Sequence, residues 1–188
     1  MGPRFSTALA FAHELHGDQK RKGTEIPYIA HLLSVAARVI EAGGSEDAAI
    51  AALFHDAMED QGGRPTLERI RKRYGDDVAS IVDACSDAET EPKPPWRERK
   101  EAYLEAIPHK DQQTLLVSLA DKVHNARAIL QDYKVNGEAL WDRFNGKREG
   151  TLWYYGSLRD QFKGRTPEPL WEMLNKVVCE LDHRAETE

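Results

Sequence analysis

Apolar residues recur along this chain at helical spacing almost throughout. Phe5, Leu9, Ala12 and Leu15 predict a first helix, interrupted by a polar, glycine-bearing loop from Gly17 to Thr24. Pro27 opens a second helix, whose Leu32, Val35, Ala36 and Val39 line one face until Gly43-Gly44 ends it. Ser45 is placed to cap a third, expected to run to about Asp60. Its segment from Ala48 to Phe54 is apolar on nearly every side, as a central helix must be. After the turn Gly62-Gly63-Arg64-Pro65, Thr66 reads as the cap of a short helix closed by Gly75. Asp76 or Asp77 then starts another through Val78, Ile81, Val82 and Cys85. Ser86 to Pro95 carries too much proline and charge to pack, which predicts a mobile surface loop. Further helices are expected over Trp96–Ile107, Asp111–Gln131, Thr151–Phe162 and Glu168–His183. With no period-two alternation, internal repeat or heptad run, the pattern predicts an all-α helical bundle forming one domain over residues 1–188.

Composition narrows the function. A chain of 188 residues, 40% hydrophobic, can bury one sizeable core. Its net charge of −6 disfavours nucleic acid as a partner, because affinity for a polyanion rests on many Lys and Arg contacts. A small anionic ligand remains compatible, given a metal ion or a short basic cluster. No apolar run approaches the roughly 18 residues of a membrane span, and the start lacks the apolar segment of a secretory signal, so a cytoplasmic protein with no membrane partner is expected. Cys85 and Cys179 fall in helical patterns without a nearby partner and read as packed, reduced thiols. No oligomeric state follows from the pattern.

The candidate chemistry sits where apolar segments end. His55 and Asp56 follow the central helix, His31 lies in Pro27-Tyr28-Ile29-Ala30-His31, and Asp121 in Leu119-Ala120-Asp121-Lys122-Val123-His124-Asn125. Two imidazoles and two carboxylates form a mixed N/O set that suits Mn²⁺, with Fe²⁺, Co²⁺ or Zn²⁺ as alternatives, and leaves coordination positions open. On a continuous helix His55 would share a face with Glu59, and Asp56 with both Glu59 and Asp60, so that Glu59 and Asp60 could orient or deprotonate a water. His13, His16, His109, His124 and His183 read as packed or surface residues, with His124 set to pack beside Asp121. Trp96, Trp141, Trp153 and Trp171 read as helix-packing residues.

Taken together, Tyr28-Ile29-Ala30-His31, His55-Asp56-Ala57-Met58-Glu59-Asp60 and Ala120-Asp121-Lys122-Val123-His124-Asn125 resemble the H…HD…D pattern of the HD-domain phosphohydrolases. More narrowly, they are similar to the hydrolase domain of RelA/SpoT proteins and to the stand-alone small alarmone hydrolases. The resemblance runs from about Phe5 to Phe162, followed by the helix over 168–183, and implies an HD-type bundle with no room for a synthetase or regulatory domain. It also implies Mn²⁺ on His31, His55, Asp56 and Asp121, with Glu59 and Asp60 as catalytic carboxylates. Substrate contacts fall on Arg21 and Lys22 of the loop Lys20-Arg21-Lys22-Gly23, on Asn125 and on Tyr155. Gly23 and Ala128 depart from residues common in the family, which leaves base selection open. The implied reaction is removal of the 3′-pyrophosphate from guanosine tetra- or pentaphosphate, ppGpp or pppGpp, to give GDP or GTP and pyrophosphate. Alternatives are an HD hydrolase of adenosine alarmones, NADPH or a nucleoside monophosphate, and an inactive nucleotide sensor.

Overall fold

The computed structural model describes residues 1–86 and 94–187. Among these the chain is helical, with α1 (Pro3–His16), α2 (Ile29–Glu41), α3 (Glu46–Phe54), α4 (Ala57–Asp60), α5 (Arg64–Tyr74), α6 (Asp76–Cys85), α7 (Trp96–Ala106), α8 (Gln112–Asn136), α9 (Lys147–Phe162) and α10 (Glu168–Thr187). Short 3₁₀ segments, Ile107–His109 and Gly137–Arg143, join α7 to α8 and α8 to α9. The only strand-like pairing among the described residues is an isolated antiparallel bridge between Lys20 and Pro27. The loop expected over Ser86–Pro95 falls mostly on residues 87–93, outside those described.

The all-apolar third helix is central, as its pattern requires. Every residue of α3 from Ala48 to Phe54 is buried, and the helix packs against α1, α2, α6 and α8. Small alanines let these neighbours approach closely. Ser45 caps the helix, its Oγ accepting from the Ala48 amide at 3.1 Å. Just before it, Gly44 sits where a Cβ would lie 2.9 Å from the Val39 carbonyl oxygen, so only glycine permits that turn.

Three expectations are corrected. The third helix does not run on to Asp60; α3 stops at Phe54, and one further turn, α4, begins after Asp56. His55 Nδ1 is bonded to the Ala52 carbonyl at 2.8 Å, capturing an oxygen that a continuing helix would use for its own ladder. Thr66 does not cap α5. Gly63 is the capping residue, with φ 65°, Pro65 occupies the first turn, and the Thr66 hydroxyl turns back to donate to the Gln61 carbonyl. Of the two thiols, Cys85 is half-buried beside Ser118, whereas Cys179 is exposed rather than packed; both are free.

The 25-residue α8 is the second axis of the bundle, contacting α2, α3, α6, α9 and α10. Asp111 fixes its start, Oδ1 accepting from the amides of Gln113 at 2.8 Å and Thr114 at 3.1 Å. Trp96 lies across Gly146 and Gly150, which have no side chain to obstruct the indole, and thereby ties α7 to α9. This bears out the packing role expected of Trp96.

Hydrogen bonds from Thr114 and Gln113 outweigh the partial burial of the Asp111 carboxyl and lower its pKa, so the cap strengthens folding above the ordinary carboxylate range and fades as pH falls through the depressed value. Asp111→Ala is expected to cost about 1 kcal/mol in urea unfolding at pH 7. The gap from the parent should narrow as pH drops below about 4.

Candidate functional site

The break between α3 and α4 delivers His55 and Asp56 to one point, which α2 and α8 reach from other sides with His31 and Asp121. His31 Nε2 lies 3.2 Å from His55 Nε2. Asp56 Oδ2 stands 3.4 Å from His31 Nε2 and 3.0 Å from His55 Nε2. Asp121 Oδ1 stands 3.3 and 3.5 Å from the same two nitrogens. Donor atoms about 2.1 Å from a shared cation lie roughly 3.0 to 3.4 Å apart, for angles between a right angle and the tetrahedral one. These imidazole and carboxylate separations match edges of a coordination shell; His31, His55 and Asp56 offer ligand atoms all within 4.8 Å of one another, with Asp121 set against the same two imidazoles. All four residues named from sequence come together here, and His31, His55 and Asp121 are buried.

Outer hydrogen bonds aim the imidazoles. His55 Nδ1–H donates to the Ala52 carbonyl, which turns Nε2 toward the cluster. His31 Nδ1 lies 2.8 Å from Nδ1 of His124. Burial, with His31, Arg21 and Arg38 nearby, pushes the His124 pKa down to about 3, so His124 is neutral and can accept a proton from His31 Nδ1. That contact leaves His31 Nε2 as the nitrogen turned toward His55. With both Nε2 atoms deprotonated, two imidazoles and two carboxylates would offer a donor set that fits a divalent cation.

The titration directions express the same demand. Burial opposes charge on His55, but Asp56 and Asp121 overcome it and hold the imidazole pKa well above its ordinary value. Burial likewise opposes the carboxylates, yet His55 holds Asp56, and Lys122 with the two histidines holds Asp121, well below the usual range. Lys122 Nζ meets Asp121 Oδ2 at 2.6 Å, so one carboxylate oxygen is balanced by the lysine while the other faces the imidazoles. The Tyr28 phenol donates to Asp56 Oδ2 at 2.5 Å.

Beside this cluster opens a cavity of about 780 Å³. Its lining includes His31, Asp60, Asn125 and Tyr155, with Lys20, Arg21, Lys22, Arg38 and Arg127 as basic groups against Asp60 and Asp132. An acidic protein thus concentrates positive charge at one concave place. The Lys20–Pro27 bridge closes the α1–α2 loop into a small hairpin, held by Arg21 N to the Ile26 carbonyl at 2.9 Å and Tyr28 N to the Gln19 carbonyl at 2.8 Å. Gly23 at its tip has φ +74° and supports the Arg143 side chain, a conformation that accounts for glycine there. Lys22 is exposed at the cavity, while Lys20 is paired with Glu25. Arg21 Nη2 donates to Asn125 Oδ1 at 2.7 Å, and Asn125 Nδ2 donates on to Asp121 Oδ1 at 2.5 Å. Tyr155 is buried in the wall.

The two further carboxylates separate. Asp60 lines the cavity, where Gln19 Nε2 donates to its Oδ2 at 2.8 Å. Glu59 is half-buried on the same turn of α4 and is not part of that lining. Tyr28, Lys122, Gln19, Arg38 and Arg127 are site residues that the spacing did not assign a role. Arg38 had a legible signal, lying seven residues after His31 and so near the same face of α2.

Comparison with known proteins agrees with this geometry. The HD-domain family model matches residues 8–152. The MESH1 guanosine-3′,5′-bis(diphosphate) 3′-pyrophosphohydrolase of Xenopus tropicalis is 44% identical over 125 residues, 65% of this chain and 67% of that protein. The human protein of the same name is 37% identical over 125 residues, with the same shares of each chain. The guanosine-3′,5′-bis(diphosphate) 3′-pyrophosphohydrolase of Aquifex aeolicus is 37% identical over 125 residues, 65% of this chain but 17% of that longer protein. A solved structure described as a metazoan orthologue of SpoT that hydrolyses ppGpp superposes with a TM-score of 0.80 at 26% identity, covering 96% of each chain. With its fold, its four converging donor residues and these matches, the chain belongs to the HD-domain family.

Proposed function

We propose that this protein is a metal-dependent pyrophosphohydrolase that removes the 3′-pyrophosphate from ppGpp or pppGpp, giving GDP or GTP and pyrophosphate. The observation that carries the reading is the gathering of His31, His55 and Asp56 at metal-ligand spacing, with Asp121 against the same two imidazoles, beside a basic, nucleotide-sized cavity. The names of the similar proteins point the same way. The absence of any helix among the described residues long and apolar enough to cross a membrane is compatible with a cytoplasmic setting.

In this reading the four residues hold Mn²⁺, which when bound polarises a phosphoryl oxygen and makes water a stronger nucleophile near neutral pH. Arg21 and Lys22 grip phosphate oxygens, arginine offering two parallel donors. Asn125 holds Arg21 and Asp121 in register and faces the ribose side, and Tyr155 forms the wall against which the nucleoside lies. Asp60, held by Gln19 at the cavity surface, takes the proton from the attacking water, with Glu59 orienting it from the same turn. A new bond forms from the water oxygen to the phosphorus carried on the 3′ oxygen, and the bond from that phosphorus to the 3′ oxygen breaks. Pyrophosphate leaves, and the proton taken up by Asp60 is returned to the 3′ oxygen.

The direct experiment titrates Mn²⁺ into metal-free protein with ppGpp, pppApp and NADPH in parallel and identifies the products. Metal-dependent release of pyrophosphate from ppGpp is expected; its absence overturns the reading. The double variant Glu59→Gln, Asp60→Asn should retain the metal and lose at least about a hundredfold in turnover, the low end of what a positioned base contributes. Removing the neighbour that fixes His31, by His124→Ala, should weaken metal affinity roughly tenfold or more, measured by competition with a chelator.

Metal removal should also have a pH signature. With His55 raised in the folded chain, the ion-free protein is most stabilised by that proton below the unfolded value of about 6.5, and loses this as pH rises toward the raised one. An ion must displace the same proton, so its hold strengthens with pH. The gap in Tm between Mn²⁺-loaded and chelated protein should therefore widen from pH 6 to pH 8, as thermal unfolding would record.

A further inference from the structure

The basic groups of the cavity are not all beside the metal-ligand cluster. Arg38 follows His31 by seven residues on α2, about 10.5 Å along the helix axis, and lines the same cavity together with Arg127 of α8. Arg38 Nη1 donates to the Ser34 carbonyl of its own helix at 2.9 Å, while its Nε is buried without a hydrogen-bond partner. A buried guanidinium N–H without an acceptor is costly, and the nearness of a second guanidinium adds to the cost. Burial, then Arg127, both work against the charge on Arg38, with Glu41 of the same helix the opposing influence. The remaining carboxylate of this part of the cavity, Asp132, is engaged by Arg143 at 3.3 Å. Two arginines, one on α2 and one on α8, thus repel each other in one cavity, and one has an unused donor.

We infer that Arg38 and Arg127 form a second anion subsite, which takes the phosphate group on the 5′ side of a nucleotide whose 3′ side lies at the metal-ligand cluster. This rests on the proposed function for the identity of the nucleotide, but the arginine pair itself does not depend on it. The spacing of two helical turns gives the subsite a purpose in selection. A nucleoside phosphorylated on both sides of its ribose reaches both ends of the cavity at once, whereas one phosphorylated only on the 3′ side leaves the arginines facing each other. Charge-assisted contacts made at the far end hold the reacting end in place, as remote binding energy does elsewhere.

The test compares kcat/KM of the full-length, Mn²⁺-loaded protein for ppGpp and for guanosine 3′-diphosphate with a 5′ hydroxyl. The parent protein should prefer ppGpp, and Arg38→Gln should reduce that preference roughly tenfold, with Arg38→Lys intermediate, as expected for loss of a charge-assisted contact. An equal loss on both substrates, or none on either, would overturn the subsite. Thermal unfolding of chelator-treated protein with inorganic pyrophosphate provides a readout independent of turnover, and also shows that each variant folds. Stabilisation by pyrophosphate should be smaller in both Arg38→Gln and Arg127→Gln than in the parent; equal stabilisation in all three speaks against the pair. If the parent does not hydrolyse ppGpp, the proposed reaction fails, and the pyrophosphate measurement alone decides the subsite.

Discussion

Electron pairs buried face to face require a positive charge between them, and this requirement organises the centre of the molecule. His31, His55, Asp56 and Asp121 belong to three separate parts of the chain, and hydrophobic burial alone would keep polar groups apart or send them outward. Here the core helices supply rigidity while hydrogen bonds to Ala52 and His124 aim the imidazole lone pairs inward. The apolar shell around α3 and α8 lowers the local polarity and makes the charges there interact strongly. Removing any one donor leaves the others unbalanced, so fold and chemistry share one point of dependence.

Much of this was legible in the order of residues, for identifiable reasons. A segment as uniformly apolar as Ala48–Phe54 can only be interior, and Ser45 before it can only be a cap. The gathering of His31, His55, Asp56 and Asp121 was legible because histidine and aspartate at the ends of apolar helices have few structural uses in combination. The end of α3 was not, since an unbroken helix and a helix interrupted at His55 have the same periodicity; the difference lies in where one imidazole nitrogen finds its acceptor. Thr66 failed as a cap for a related reason. Pro65 and the positive φ of Gly63 started the helix earlier, and the threonine hydroxyl was left free to turn back to Gln61.

Side-chain pairings across distant segments were the least accessible. Nothing in the spacing says that Tyr28 reaches Asp56, that Lys122 neutralises the outer oxygen of its own neighbour Asp121, or that Lys20 spends its charge on Glu25. The basic loop was recognisable by composition, but its hairpin form depends on the bridge between Lys20 and Pro27 and on a left-handed Gly23 resting against Arg143. That form matters because a preformed loop loses less conformational freedom on meeting a ligand than a floppy one.

A single amide joins the two halves of this centre. Asn125 accepts from Arg21 through its oxygen and donates to Asp121 through its nitrogen, so that guanidinium and that carboxylate cannot move independently. An anion that draws Arg21 aside changes what Asn125 offers to Asp121, and an ion seated against Asp121 changes how firmly Arg21 is held. Thermodynamic reciprocity then makes occupancy at either place a modifier of affinity at the other, by the same factor in both directions.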